Sequence, residues 1–430
     1  MVHSEIRSDI RGKKDMWRVG RGDMSAEIQR DEYFKSPCLL VPLSLYLPVS
    51  LSLLVILALL AFFAPSSHSF ERSISSASLP TSGQQPEWSP QSSGLIAKLS
   101  GVFFVDRDRG WVVGSNGALL ATEDGGAKWR RQTLPERQRN EMLNDVWFFN
   151  PDRGLLLGEY GLFNRKGAID WSEKVFLLTS KDRGANWEAG TLQRLPVRQS
   201  GQPAPSSSES ASGDMLKTGS RPSDPILLRM SFANDQVGWA VGEWGMIQRT
   251  IDGGATWTMQ ETPKRKLLYD VFAIDDGHAW AVGTVGTILR TVDGGRNWEE
   301  QSSGVVQTLR AVHFVDPQRG WAVGAKGTIL ATTNGGARWQ RLTSGVELNL
   351  NDVIFLNAKE GLGAGPREGR EGWIAGDRGL LLRTTDDGAT WENVDLGARA
   401  NLSRLFFIAP DCGWVVGTSG AIFKYGRTSK

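Results

Sequence analysis

The sequence predicts an all-β fold: a seven-bladed β-propeller closed by an N-terminal strand and preceded by one N-terminal transmembrane helix. Three observations carry this. Glycine is unusually frequent, 50 of 430 residues against a usual roughly 7%, and Trp (17) outnumbers Tyr (5). A unit recurs: WAVGEWGMIQRTIDGGATW (239–257), WAVGTVGTILRTVDGGRNW (280–298) and WAVGAKGTILATTNGGARW (321–339) follow at steps of 41 residues, the length of a four-stranded propeller blade. Finally, the last copy stops before its fourth strand, and a matching piece stands at the front. Trp88-SPQSSG resembles Trp298-EEQSSG, and each Trp lies 23 residues before the next strand-B Trp.

Taken in order, residues 1–37 form a polar tail with eight Lys/Arg and seven Asp/Glu. Residues 38–64 carry no charge and are Leu-rich from Val49 to Phe63, long enough to cross a bilayer. They read as a signal anchor, or as the apolar region of a cleaved signal peptide. Cys38 precedes the run, so lipoprotein processing is not expected. Lys/Arg are scarce just after the span, which places the tail in the cytoplasm and the propeller on the periplasmic, extracytoplasmic side. Residues 65–85, rich in Ser, Pro and Gln, read as a linker.

The propeller is expected over 86–426. Copies start at Trp111, Leu155, Trp239, Trp280, Trp321, Trp373 and Trp414. Within 307–343, QTLRAVHFV is strand A, WAVG strand B, GTILATT strand C and WQRLT strand D. The two residues before the second Gly of VGxxG form the B–C turn, where Gly supplies positive φ and close approach. The C–D turn is Ser/Thr-x-Asp-x-Gly-x-x-Trp, centred on Asp124, Asp182, Asp252, Asp293, Asn334 and Asp386. Its acid accepts turn amides and its Trp packs inward, so these Asp-box residues read as structural. Insertions interrupt the spacing at about 160–176, 193–225 and 361–371. The first two fall on the face made by D–A and B–C connections, the third on the opposite face.

Near-balanced charge, 49 basic against 47 acidic residues, excludes a strongly basic nucleic-acid binder. Two cysteines make no disulfide framework, and Cys412 reads as inert. His278 and His313 lie in the propeller without ligand spacing, and no phosphate loop is present, so no metal or cofactor is expected. Binding candidates are Tyr160 and Trp244, expected as exposed aromatics on B–C turns of neighbouring blades; packing on the insertions is the alternative. Arg249, Arg290 and Arg383 share one strand-C position. Arg310 and Arg404 lie on strands A, one position out of register with each other. Such arginines suit an acidic peptide; blade-to-blade pairing with Asp and Glu is the alternative.

The combination WAVGxxGTILRTxDGGxxW, QSSG and LRAVHFVD resembles the photosystem II stability and assembly factor family over about 86–426. That resemblance implies a non-enzymatic, monomeric propeller on the lumenal side that binds a membrane-protein subunit, with Arg249, Arg290, Arg383 and Arg310 as candidate contacts. The alternatives are an Asp-box glycoside hydrolase and a surface carbohydrate- or protein-binding module. Sialidase chemistry needs three arginines, a Tyr–Glu pair and an acid Asp. Only Tyr160, Tyr269 and Tyr425 stand in the propeller, none in a sialidase-like context, whereas a carboxylate pair meeting across blades is left open.

Overall fold

A computed structural model describes residues 86–161, 174–193, 225–356 and 371–426. The tail, the apolar segment 38–64 and its helix, the linker, and nearly all of the three insertions lie outside the described residues. Among the described residues, no helix is long and apolar enough to cross a membrane.

Seven four-stranded antiparallel sheets form the blades. Strands A, innermost, are Leu99–Phe104, Met142–Phe148, Leu227–Phe232, Leu268–Ala273, Leu309–Phe314, Leu350–Phe355 and Leu402–Ala409. Blade seven is completed by Glu87–Ser92, which pairs with Ala421–Gly426 from Trp88↔Tyr425 to Ser92↔Ala421. The ring therefore closes with the N-terminal strand, as the Trp88 repeat predicts, leaving no seam between first and last blades.

An aromatic sandwich holds neighbouring blades together. The strand-B Trp of one blade stacks on the Phe ending strand A of the next: Trp111 on Phe148, Trp280 on Phe314, Trp321 on Phe355 and Trp414 on Phe104, with centroids 3.4–3.6 Å apart. The strand-D Trp meets that Phe edge-on, as Trp129 does Phe104 and Trp339 does Phe314, both at 5.9 Å. Trp88 meets Phe407 in the same way, also at 5.9 Å, in the role of a strand-D Trp. The Phe ring occupies space beside the residue that opens strand B. A Cβ at Gly110 would lie 2.4 Å from the Phe104 ring, which explains the Gly-Trp start. Blade four makes the complementary choice, with Ala279 opening strand B opposite Ala273 instead of Phe.

The B–C turn corrects the expectation by one residue. The i→i+3 bond runs from Ala118 N–H to the Ser115 carbonyl at 3.2 Å, and from Met246 N–H to Glu243 at 3.0 Å. The central pair is therefore the second turn residue plus the following Gly. Both have positive φ, 58° and 59° at Asn116-Gly117 and 56° and 70° at Trp244-Gly245, which is a type I′ hairpin turn. The earlier Gly of VGxxG is extended, at φ −175° in Gly242. It is needed for close approach, because a Cβ there would sit 1.9 Å from the Ile226 carbonyl oxygen.

Candidate functional site

The Asp-box residues build their own turns. In blade four, Asp293 Oδ1 accepts from the Asn297 N–H at 3.0 Å and the Thr291 hydroxyl at 2.9 Å. The Thr291 oxygen accepts from the Gly295 N–H at 2.7 Å. The same set recurs at Asp124, Asp182, Asp252, Asn334 and Asp386. The Asn297 amide bond leads in holding Asp293 at about 2, and the Thr390 hydroxyl does so for Asp386, also about 2. These carboxylates are anions engaged locally.

The strand-C arginines lie against their own blades. Arg249 stands 5.4 Å from the Trp239 ring and Arg290 5.7 Å from Trp280. Arg383 stands 5.2 Å from Trp373 and pairs with Glu371 at 2.7 Å. Lys424 takes the equivalent place on Trp414. Arg249 and Arg290 reach toward the C–D turn of the following blade, beside Gly294 and Gly335. Arg310 sits at the other end of the ring, where strand A bulges between Leu309 and Ala311, and donates to Asn351 Oδ1 at 3.3 Å. The structure does not gather these four arginines into one stripe.

Of the two B–C aromatics, Trp244 is exposed, at 47%. Tyr160 departs from the expectation and is half-buried. It packs on Phe176 at 4.7 Å, accepts from Gln138 Nε2 at 2.6 Å and lies under the Arg137 guanidinium. Beside Trp244 on the same face stand Val285 (57% exposed) and Val306 (75%). The D–A loops link them: Gly245 abuts Lys264, Thr284 N–H donates to the Leu267 carbonyl, and Gly286 N–H donates to Gln307. A β-branched or bulky residue at positive φ is a steric outlier. Trp244 and Val285 (both φ 56°) occupy that conformation where Asn116 holds it in blade one. The fold gains nothing from exposed, strained apolar tips, and such positions suit a contact surface.

The central channel holds charges that the sequence reading did not single out, except Arg404. The residue after each strand-A bulge points to one level of the ring: Asp145, Arg229, Asp270, Asp352 and Arg404, with Gly101 and Ala311 completing it. Arg229 pairs with Asp145 at 3.6 Å. Arg404 bridges Asp352 at 3.2 Å and Asp270 at 3.5 Å. Each Asp also accepts the N–H of the next blade's strand A: Asp145 from Met230, Asp270 from Val312, Asp352 from Leu405, at 2.7–3.0 Å. Burial pushes Asp270 up to about 6 and raises Asp352. Above them, Asn144 and Asn351 donate to the Leu227 and Leu402 carbonyls, while Arg229 donates to Ser100 and Asn144. This polar layer lies on the D–A side of the charged level. A sequence signal existed: Leu-x-Asp-Val recurs at 143, 268 and 350, an acid inside an otherwise buried strand. Among the described residues, no group of His, Cys, Asp and Glu is placed to hold a metal ion.

Fold and turns define a closed seven-bladed Asp-box propeller, a rigid ring that presents loops on two faces. The chain belongs to the family described as photosynthesis system II assembly factor YCF48, whose sequence pattern matches residues 81–204, 209–300 and 302–400. It is 39% identical over 67 residues to the photosystem II assembly lipoprotein Ycf48 of Synechocystis sp., a stretch covering 15% of this chain and 19% of that relative. The solved structure of YCF48 bound to D1 peptide superposes with a TM-score of 0.58 at 21% identity, covering 79% of this chain and 97% of that one. A xyloglucanase from Xanthomonas campestris shares the fold at 14% identity and TM-score 0.54, over 78% of this chain and 53% of that one.

Proposed function

We propose that this chain is a non-enzymatic propeller, held to the membrane by its N-terminal segment, that binds an extracytoplasmic or lumenal segment of a membrane-protein subunit. It thereby assists assembly or stability of a membrane complex of the photosystem II type. Family membership supports the role, and the peptide-bound relative supports a peptide segment as client. The observation that carries the site is the exposed, left-handed pair Trp244 and Val285 on the D–A/B–C face. A large aromatic beside aliphatic tips is the composition of an interface anchor. Arg249, Arg290, Arg310 and Arg383 are the second candidate set, suited to an acidic client. Each of the three channel carboxylates is held by an arginine and by a backbone N–H, an arrangement that supports a binding role over glycoside hydrolysis.

The test is capture of membrane subunits from solubilised membranes by the full chain. One subunit is expected to be enriched, with enrichment falling at least tenfold for Trp244→Asp with Val285→Asp. Loss only in Arg249→Glu with Arg290→Glu would move the site to the arginines. Absence of any enriched subunit, with turnover of a glycoside panel, would overturn the reading.

A further inference from the structure

The channel below the polar layer is a funnel of about 680 Å³ that reaches the A–B turns at Asp275, Asp316 and Pro317. Its collar is aromatic. Phe103 contacts Trp147 at 4.9 Å and Phe406 at 5.1 Å, and Phe272 lies 4.5 Å from His313. Each of these four aromatics is only half-buried and lines the cavity. The floor is the charged level, with three carboxylates against two guanidinium groups. His313 does not redress the balance, because burial pushes it down to about 3 and it is neutral. The excess is one negative charge, shared by Asp270 and Asp352 around Arg404. Asp352 lies closer to the shared Arg404, and the Asp270 Oδ1–Arg404 contact is long at 3.5 Å. Asp270 is thus the less compensated of the two, with the Val312 N–H at 3.0 Å as its other partner, and a buried anion of this kind is costly. Aromatic rings above a floor that carries one net negative charge favour a cation with an apolar stem.

We propose that this funnel is a binding site for an organic ammonium group, entering from the A–B face. The ammonium sits against Asp270 and Asp352, with its stem inside the Phe103–Trp147–Phe406 collar. A free amine and a lysine side chain share this chemistry. The site lies away from Trp244 and Val285, so the proposal stands or falls independently of client capture. Binding is also proton-linked. The groups facing Asp270 are Arg404, Asp352, Arg229, Asp145 and His313. A cation selects the ionised carboxylate, so affinity rises as pH climbs through about 6.

The experiment is titration calorimetry of the full chain with phenethylamine, its neutral isostere 2-phenylethanol, and Nα-acetyl-lysine methylamide. Phenethylamine is expected to bind at least tenfold tighter than the alcohol, and severalfold tighter at pH 7 than at pH 5. Asp270→Asn with Asp352→Asn should erase that preference. If the double variant does not fold, Trp147→Leu and Phe406→Leu decide, since they leave the floor intact and should weaken the amine at least fivefold. Binding of the lysine derivative identifies a protein side chain as the source; binding of phenethylamine alone identifies a small amine. Equal affinity for amine and alcohol, no binding of the amine, or amine affinity unchanged in the collar variants would overturn the proposal.

Discussion

At the residue scale, the B–C turn shows where folding and function part. Type I′ geometry asks for positive φ at both central positions, and Asn-Gly meets it at little cost. Asn116-Gly117 follows that rule, whereas Trp244-Gly245 and Val285-Gly286 do not. A left-handed non-glycine residue costs about 1–2 kcal/mol, and Asn tolerates it best. Val285→Asn is therefore expected to stabilise the fold by about 1 kcal/mol, read as a higher urea midpoint, while weakening client capture. An unchanged or lower midpoint would remove the strain argument for this tip. The GxxG motif was legible in every blade, as LGxxG in blade two and AGxxG in blade six, but its two glycines do different jobs. Outside blade two, backbone conformation separates them: the second has positive φ, and the first sits against a neighbouring carbonyl.

At the element scale, blades are joined by the Trp–Phe–Trp sandwich. The Phe that ends strand A and the residue that opens strand B compete for one volume. Blade four, with Ala273 and Ala279, is the exception that reveals the rule. Ala273→Phe should destabilise by about 1–3 kcal/mol through overpacking. Adding Ala279→Gly should recover part of that loss, because the glycine opens the volume the ring fills elsewhere. A double-mutant cycle without coupling would contradict this account. The closing strand gives a second expectation. Trp88 meets Trp373 at 5.5 Å and Phe407 at 5.9 Å but is only partly buried. Trp88→Ala should cost about 2–3 kcal/mol, below the roughly 3–5 of a fully buried aromatic, as measured by urea unfolding. A loss below about 1 kcal/mol would mean that the ring closes through backbone pairing alone.

At the scale of the whole molecule, the channel layer ties alternate blades to their neighbours through Asp145, Asp270 and Asp352. This gives the ring a pH signature of its own. Asp270 is raised from 3.8 to about 6 by burial, so the native state holds its proton more tightly than the unfolded chain. Its stabilising contribution is full below about 3.8 and is lost as pH rises through about 6. The Asp-box acids run the other way. Asp293, lowered to about 2, contributes above about 3.8 and loses that contribution as pH falls through 2. Asp270→Asn should therefore gain on the wild type between pH 4 and pH 7. Urea midpoints of both proteins across that range test it, and a constant difference would mean that Asp270 titrates normally.

The sequence alone determined the blade count, the order of strands within each blade, the Asp-box turns and the closing role of Trp88. These depend on local spacing: strand alternation and turn chemistry act over a few residues and repeat with the chain. Part of the candidate site was legible on the same grounds, because Trp244 lies on a turn tip that the six tight B–C hairpins expose. Tyr160 holds the homologous place yet is half-buried, since Phe176, Gln138 and Arg137 converge on it. Arg249, Arg290 and Arg383 share one repeat position, but among the described residues only Arg383 finds a carboxylate, Glu371, whereas Arg249 and Arg290 reach the next blade's C–D turn. The charged floor and aromatic collar of the funnel needed the closed ring. Their members are separated by up to about 300 residues and meet only because seven strands A converge on one axis, a juxtaposition that no local pattern encodes.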